Sequence, residues 1–327
     1  MRVLVLSHRD VLAALQPEAC AEAMAAVLAG HARGETFMPL RSVMMPPDAA
    51  GFMGLMPGWR ASRASFALKA VCIMPGNPAR GLDAHQGLVT LFDGETGLPT
   101  AILDASAITE VRTAAVTAVA TRVLARPQAS TLAVLGAGTQ ARAHLRALAA
   151  VRAFERVRIY APTEAHAREL AGQGAAYGGE VSVAASAEQA VADADVVVTA
   201  TSARQPVLRR AWLKPGAHVN AVGASSPQAR EIDTATVAAS ALFCDSRESL
   251  QAEAGEFQLA IAEGLIAGLP HVRAELGEVL AGAAEGRRDN SELTLFRSLG
   301  LAIEDLAAAE CAVAAATEQA LGTEVEL

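Results

Sequence analysis

Leu135-Gly136-Ala137-Gly138-Thr139-Gln140-Ala141 closes an apolar run, Leu132 to Leu135, and opens an alanine-rich segment that continues to about Ala150. The pattern is strand, tight glycine turn, helix. In such a turn the first glycine lets the chain reverse and the second lets bare backbone approach a pyrophosphate at the positive N-terminus of the next helix. A small third residue, here Ala141, sits where helix meets strand. A glycine turn between unrelated elements would read the same way in isolation, so the segments on either side of it decide the fold. Thr131–Leu135, Val157–Tyr160, Val181–Ala184, Val196–Ala200, His218–Val222 and Ala241–Cys244 are short β-rich runs separated by alanine-rich helical ones. Near-continuous apolar strands alternating with helices predict a Rossmann-type, doubly wound parallel α/β sheet covered on both faces. Ligands bind such sheets at the carboxyl ends of the strands. The residues predicted to hold a dinucleotide are therefore Gly136, Gly138, Thr139 and Gln140 in the turn, with Thr199 and Thr201 after the strand that begins at Val196.

The end of the second strand bears on the choice of nucleotide. A domain selective for NAD usually carries an acid there, about 20 residues after the turn, to bond the ribose 2′-hydroxyl. This chain has Ala161-Pro162-Thr163. With no carboxylate to repel a 2′-phosphate, and Thr163 and Arg168 nearby, NADPH is slightly favoured, with NAD as the other candidate. Arg168 also has a plainer reading as a solvated helix charge.

Composition narrows the class. The 327 residues suffice for two cores of ordinary size, and 52% are hydrophobic, 19% charged and 4% aromatic. Much of the apolar share is alanine, and no uninterrupted apolar stretch reaches the length needed to span a bilayer. The first residues, Met1-Arg2-Val3-Leu4-Val5-Leu6-Ser7-His8-Arg9-Asp10, lack a signal-peptide layout, so a cytoplasmic protein is expected. A net charge of -8 argues against general affinity for nucleic acid or anionic membrane, while leaving room for a local basic pocket. Cys20, Cys72, Cys244 and Cys311 show no CxxC spacing and no nearby His pairing, which points to free thiols and to no metal site.

The flanks read as one discontinuous α+β domain. A helix over about Asp10–Ala32 is followed by strand-like pieces, Leu40–Met45, Phe52–Met56, Phe66–Ile73, Leu88–Phe92 and Pro99–Leu103. Asp93-Gly94-Glu95-Thr96-Gly97 forms a hairpin turn between the last two. A helical segment, about Ser106–Leu124, leads into the nucleotide domain, whose parallel alternation is read as complete by about Ser246. Gly300–Leu321 reads as a long helix, acidic at Glu304, Asp305 and Glu310, that packs back on the first domain. The expected division is 1–122 for substrate binding and dimerisation, 123–299 for the Rossmann domain, and 300–327 for the returning helix.

Three cations stand in unusual surroundings: Arg41 in a run of apolar neighbours, Lys69 within Ala67-Leu68-Lys69-Ala70-Val71, and Arg112 in an otherwise bland helix. A cation among apolar neighbours is costly unless it is paired or given an anionic ligand. Each could snorkel to the surface or pair with an internal acid. As a set they suggest a carboxylate pocket, with Arg forming a bidentate fork and Lys a point charge.

With Arg41, Lys69, Pro75-Gly76-Asn77-Pro78, His85-Gln86-Gly87, Leu91-Phe92-Asp93, Arg112-Thr113-Ala114-Ala115, Gly136–Ala141, His218-Val219-Asn220-Ala221-Val222-Gly223-Ala224 and Thr294–Gly300 in that order, the chain resembles the ornithine cyclodeaminase/mu-crystallin family over nearly its whole length. The resemblance implies a Rossmann domain inserted between two halves of a substrate and dimerisation domain, and a homodimer. It implies that Arg41, Lys69 and Arg112 gather the carboxylate of an amino or imino acid beside the nicotinamide, with Leu299 near the nicotinamide ring. Cyclodeaminases of the family carry an Asp shortly after the glycine of the Asn-Ala-Val-Gly segment. Here Gly223-Ala224-Ser225 puts Ser225 in that place, as in the mu-crystallin/ketimine reductase branch. A neutral hydroxyl cannot balance an ammonium or act as a base near pH 7 without a partner.

The expected activity is therefore NAD(P)H-dependent reduction of cyclic ketimine carboxylates such as Δ1-pyrroline-2-carboxylate, giving proline-like amino acids. Lys69 and Ser225 are the candidate catalytic residues, and Lys69, Ser225 with a water, or His85 are candidate proton sources. Ornithine cyclodeaminase or alanine dehydrogenase activity is the alternative. A mu-crystallin-like ligand-binding protein without activity is a third reading, disfavoured because an idle pocket has no reason to keep desolvated charge.

Overall fold

The strand signals of the first hundred residues fold into a mixed sheet in a computed structural model that describes residues 1–174, 177–224 and 226–326. Its strands are β1 (Arg2–Leu6), β2 (Thr36–Phe37), β3 (Ser42–Met44), β4 (Phe52–Arg60), β5 (Ser65–Ile73), β6 (His85–Asp93) and β7 (Pro99–Asp104). A C-terminal strand, Thr323–Glu326, adds to the edge, so that the order is C-terminal strand, β1, β7, β6, β5, β4, β2, with β3 also on β4. β1 and β7 run parallel, and β4 to β7 form an antiparallel meander. The predicted hairpin turn closes β6 onto β7. Asp93 Oδ1 accepts from the Thr96 amide at 2.8 Å and from its hydroxyl at 2.6 Å, and Gly97 takes the positive φ of +71° that the turn needs.

Alternation along the meander separates its faces. Met56, Ala67, Val71, Val89 and Leu91 are buried, and Lys69 lies on the same side in the same period. The C-terminal helix, Ala302–Glu318, packs against β4, β5 and β6 and against helix Pro17–Ala32. The single helix expected over Asp10–Ala32 is two, His8–Ala14 and Pro17–Ala32, bent by 83°. Pro17 has no N–H to continue the first helix, and it holds Gln16 in extended backbone (φ −72°, ψ 144°). Ser7 and Asp10 start the first helix with a reciprocal capping box.

The chain divides into two units, Met1–Arg112 with Gly300–Leu327, and Thr113–Leu299. The division falls inside helix Ala105–Leu124, ten residues ahead of the 122/123 boundary expected from sequence, because the first turns of that helix belong to the core of the first unit.

The second unit is a parallel sheet. β8 (Thr131–Leu135), β9 (Arg156–Tyr160), β10 (Glu180–Val183), β11 (Val196–Thr199), β12 (His218–Ala221) and β13 (Ala241–Cys244) lie where the sequence places them. The alternation does not end there, however: β14 (Val272–Glu275) and β15 (Thr294–Arg297) extend it. The order is β10, β9, β8, β11, β12, β15, β13, β14, with every neighbour parallel. β15 is hidden from a hydropathy reading by its ends, Thr294 and Arg297, both buried through hydrogen bonds. Along β8, Leu132 and Val134 enter one apolar cluster and Ala133 and Leu135 the other. This double burial explains the continuous apolar run. Among the described residues no single helix is long and apolar enough to cross a membrane.

Candidate functional site

The first unit gathers all three singled-out cations. Lys69 on β5 is 2% exposed, and its Nζ lies 2.7 Å from Asp305 Oδ2 and 3.4 Å from Thr109 Oγ1. Arg112 donates through Nε to Asp305 Oδ1 at 2.9 Å and through Nη1 to Glu304 Oε2 at 2.8 Å. Arg41, which precedes β3 rather than lying in a strand, donates from Nη2 to the Gly300 carbonyl at 2.8 Å. Gly300 adopts φ +81°, and a Cβ there would stand 2.6 Å from Arg112 Nη1. Only glycine serves at this crossing of two guanidinium groups.

The internal acids were visible in sequence as ordinary helix charges. In the structure Glu304 and Asp305, at the start of the C-terminal helix, are buried among the cations, 0% and 1% exposed. The pairing reading is met for Lys69 and Arg112, which have carboxylate partners, and Arg41 joins them through the Gly300 carbonyl. Burial lowers the Lys69 pKa to about 8, against the opposing pull of Asp305. Burial pushes Asp305 up, but Arg112 and Lys69 outweigh it and hold the carboxyl below its usual range. His85 at the start of β6 feels the same cluster. Burial and the Lys69 charge lower its pKa to about 4, which leaves the ring neutral near pH 7.

The glycine turn has the geometry its sequence predicts. Gly136 takes φ +121°, and a Cβ on it would overlap the Ala200 carbonyl oxygen. Gly138 is the N-cap of helix Thr139–Val151 and has no side chain to cap the helix. A Cβ there would meet nothing within 4 Å. Open space over an uncapped helix N-terminus, backed by bare backbone, fits a pyrophosphate, and the turn residues suit a dinucleotide. Gln140 contributes its carbonyl to His144 Nδ1 at 2.7 Å, while His144 Nε2 lies 3.0 Å from Thr117 Oγ1. Thr163 stands exposed ahead of helix Glu164–Ala171. Arg168 pairs with Glu164 at 2.7 Å on the solvent side, in keeping with the plainer of its two readings.

Thr199 and Thr201 are engaged by a residue that carries no signal in the sequence. Glu231, 1% exposed, accepts from Thr199 Oγ1 at 2.8 Å, Thr201 N at 2.6 Å, Thr201 Oγ1 at 2.7 Å and Gly223 N at 2.6 Å. In sequence it stands in Ala229-Arg230-Glu231-Ile232-Asp233, which reads as a solvated charged stretch. Leu299 is buried, and its amide donates to Asp245 Oδ2 at 2.5 Å. Asp245 follows β13 directly, and an acid at the carboxyl end of a buried parallel strand was the available signal. Ser225, the other candidate catalytic residue, lies outside the described residues.

The chain as a whole has counterparts among known proteins. The ornithine cyclodeaminase/mu-crystallin family model matches residues 1–319. Ketimine reductase mu-crystallin of Mus musculus is 38% identical over 277 residues, covering 85% of this chain and 84% of the relative. The structure of Thermococcus litoralis Δ1-pyrroline-2-carboxylate reductase in complex with NADH and L-proline matches with a TM-score of 0.95 at 35% identity, over 99% of this chain and 100% of that one. An archaeal alanine dehydrogenase dimer with bound NAD matches with a TM-score of 0.94 at 32% identity, over the full length of both chains. With the family model matched over residues 1–319 and a relative 38% identical over 85% of this chain, the chain belongs to the ornithine cyclodeaminase/mu-crystallin family.

Proposed function

We propose that the protein is an NAD(P)H-dependent reductase of cyclic ketimine carboxylates, such as Δ1-pyrroline-2-carboxylate or its six-membered analogue, and that it yields proline-like amino acids. The observation that carries this reading is the gathering of three basic side chains in the first unit: Lys69 and Arg112 are buried against Glu304 and Asp305, and Arg41 reaches the Gly300 carbonyl beside Arg112. Guanidinium and ammonium groups brought together in this way suit a substrate carboxylate.

The dinucleotide, when bound through Gly136, Gly138 and the N-terminus of helix Thr139–Val151, supplies a hydride. The chain's own residues do the rest. Arg41 and Arg112 hold the substrate carboxylate, which fixes the imine carbon for attack and removes the entropy of a bimolecular encounter. Lys69 gives its Nζ proton to the imine nitrogen, and its pKa of about 8 matches a proton donor working near neutrality. Asp305 keeps the ammonium oriented at 2.7 Å. The absence of a carboxylate at Ala161-Pro162-Thr163 supports NADPH over NADH, and the Arg168–Glu164 pair limits that preference to a small one.

The test is a substrate panel run with NADPH and NADH: cyclic imines, pyruvate with ammonia, and ornithine with NAD. Nicotinamide oxidation with Δ1-pyrroline-2-carboxylate and no ammonia from ornithine are the expected results. Ornithine cyclisation requires proton transfers at two nitrogens that a carboxylate assists and the hydroxyl of Ser225 does not. Ser225→Asp is accordingly expected to lower imine reduction. Strong proline formation from ornithine by the unmodified protein would establish the cyclodeaminase reading instead.

We also propose a homodimer built on the face of the first sheet opposite the C-terminal helix. Met44, Phe66 and Leu88 on that face are 57%, 46% and 52% exposed, an apolar patch of the kind that marks an interface. The dimeric state of the related alanine dehydrogenase supports a second copy of this chain as its cover. Sedimentation should give a dimer mass, and Phe66→Asp with Leu88→Asp should shift it to monomer; an unchanged mass in the double variant would move the interface elsewhere. The cytoplasm is the proposed location, supported by four free cysteines and by the need for reduced nicotinamide.

A further inference from the structure

Two buried charges of opposite sign take hold of one short stretch of backbone beyond β12. Glu231 accepts from the amide of Gly223, and through the same carboxylate it takes the hydroxyls of Thr199 and Thr201 and the Thr201 amide. Arg297, 1% exposed, donates to the carbonyl of Ala221 at 3.0 Å and to that of Ala224, while its Nε pairs with buried Glu256. The segment Ala221–Ala224 is thus held at its N–H by a carboxylate and at its C=O groups by a guanidinium. Peptide groups that leave a sheet edge must find partners, and water or a turn supplies them at lower desolvation cost than two buried ions. Ions fix the path more tightly, because charge-assisted hydrogen bonds are shorter and stronger than neutral ones. Gly223 is part of the device: a Cβ there would overlap the Thr201 carbonyl oxygen and stand 2.5 Å from Glu231 Oε1.

We infer that Glu231 and Arg297 are positioning residues for the reaction, acting through the Ala221–Ala224 backbone, which leads in sequence directly to Ser225. The inference rests on the reductase reading proposed above. It gives a role to two charges that touch neither the cation cluster nor the glycine turn.

The carboxylate is required in its acceptor-only form. Each Glu231 oxygen receives one backbone N–H, from Thr201 at Oε1 and from Gly223 at Oε2. Glutamine in either orientation would point its NH2 group at one of those amides, and an amide, unlike a hydroxyl, cannot turn to accept. Glu231→Gln therefore disturbs the segment at nearly constant volume. Arg297→Lys keeps the charge beside Glu256 but loses the fork that spans the two carbonyls.

The experiment compares both variants with the unmodified protein in NADH titration, imine turnover and amide hydrogen exchange. Expected in both variants are kcat reduced by about 10-fold or more with a smaller change in KM for the imine and faster exchange at the Gly223 and Ala224 amides; NADH affinity should stay within about 3-fold of the original in Arg297→Lys, which leaves the bonds of Glu231 to Thr199 and Thr201 in place. Unchanged kcat in a folded variant would overturn the inference, whether or not exchange accelerates, because the segment would then be structural only. Unchanged exchange in both variants would overturn it as well. Should one variant fail to fold, the other carries the test. If the unmodified protein reduces no cyclic imine, the reductase reading fails first and this inference falls with it.

Discussion

Lys69→Met is expected to lower kcat/KM for a cyclic ketimine carboxylate by at least about 100-fold, or ~2.7 kcal/mol of transition-state stabilisation. Methionine keeps the apolar stem in its slot on β5 and removes the ammonium that faces Asp305 at 2.7 Å. The pH profile separates a proton donor from a structural cation. Burial places the Lys69 pKa at about 8, down from the ordinary 10.5, so the protonated form is present below about pH 8 and is lost above it. In the unmodified protein kcat/KM should fall as pH rises through that value, and in Lys69→Met this descending limb should be absent. A variant with near-normal turnover would show Lys69 to be a structural cation. Arg112→Ala should also lower kcat/KM by at least about 100-fold, with an added stability loss of about 3–5 kcal/mol, because it strips Glu304 and Asp305 of their shared partner. Lys69→Met leaves the bonds of Arg112 to both acids in place, and so it is the cleaner test of chemistry.

Gly138→Val is expected to weaken NADH binding by about 100-fold or more while leaving the melting temperature within about 2 °C of the original. The backbone there (φ −86°, ψ −168°) is open to any residue, and a Cβ meets no protein atom within 4 Å. The fold therefore has no objection to a side chain, and the space it fills is the space over the helix N-terminus. Two residues earlier the expectation reverses. Gly136→Ala would force a side chain onto φ +121° and into the Ala200 carbonyl, so it should destabilise the second unit itself. Fluorescence titration of NADH together with thermal melts of both variants distinguishes a binding glycine from a folding one. Full NADH affinity in Gly138→Val would sink the assignment of the turn as the dinucleotide site.

The sequence by itself determined the nucleotide-binding sheet from Thr131 to Cys244, because parallel strands buried on both faces write their burial locally, as continuous apolar runs with a helical segment between them. The glycine turn was legible for the same reason: its requirements, a positive φ at Gly136 and bare backbone at Gly138, are met by single residues in a row. The odd placement of Lys69 and Arg112 could be seen, but their partners could not. Glu304 and Asp305 lie nearly two hundred residues or more further along the chain, on an alanine-rich helix whose acids read as solvent-facing. Glu231 and Arg297 were hidden in the same way. A buried charge is tolerable only through partners supplied by other elements, and nothing in its own neighbours records that they are coming. β15 escaped because Thr294 and Arg297 break the apolar signature while being buried through hydrogen bonds, and β14 because Arg273 and Glu275 interrupt so short a strand. Local periodicity thus settled most of the strands and helices, and the pairing of the buried charges was settled only by tertiary packing, since an ion pair is a property of two distant residues brought out of water together.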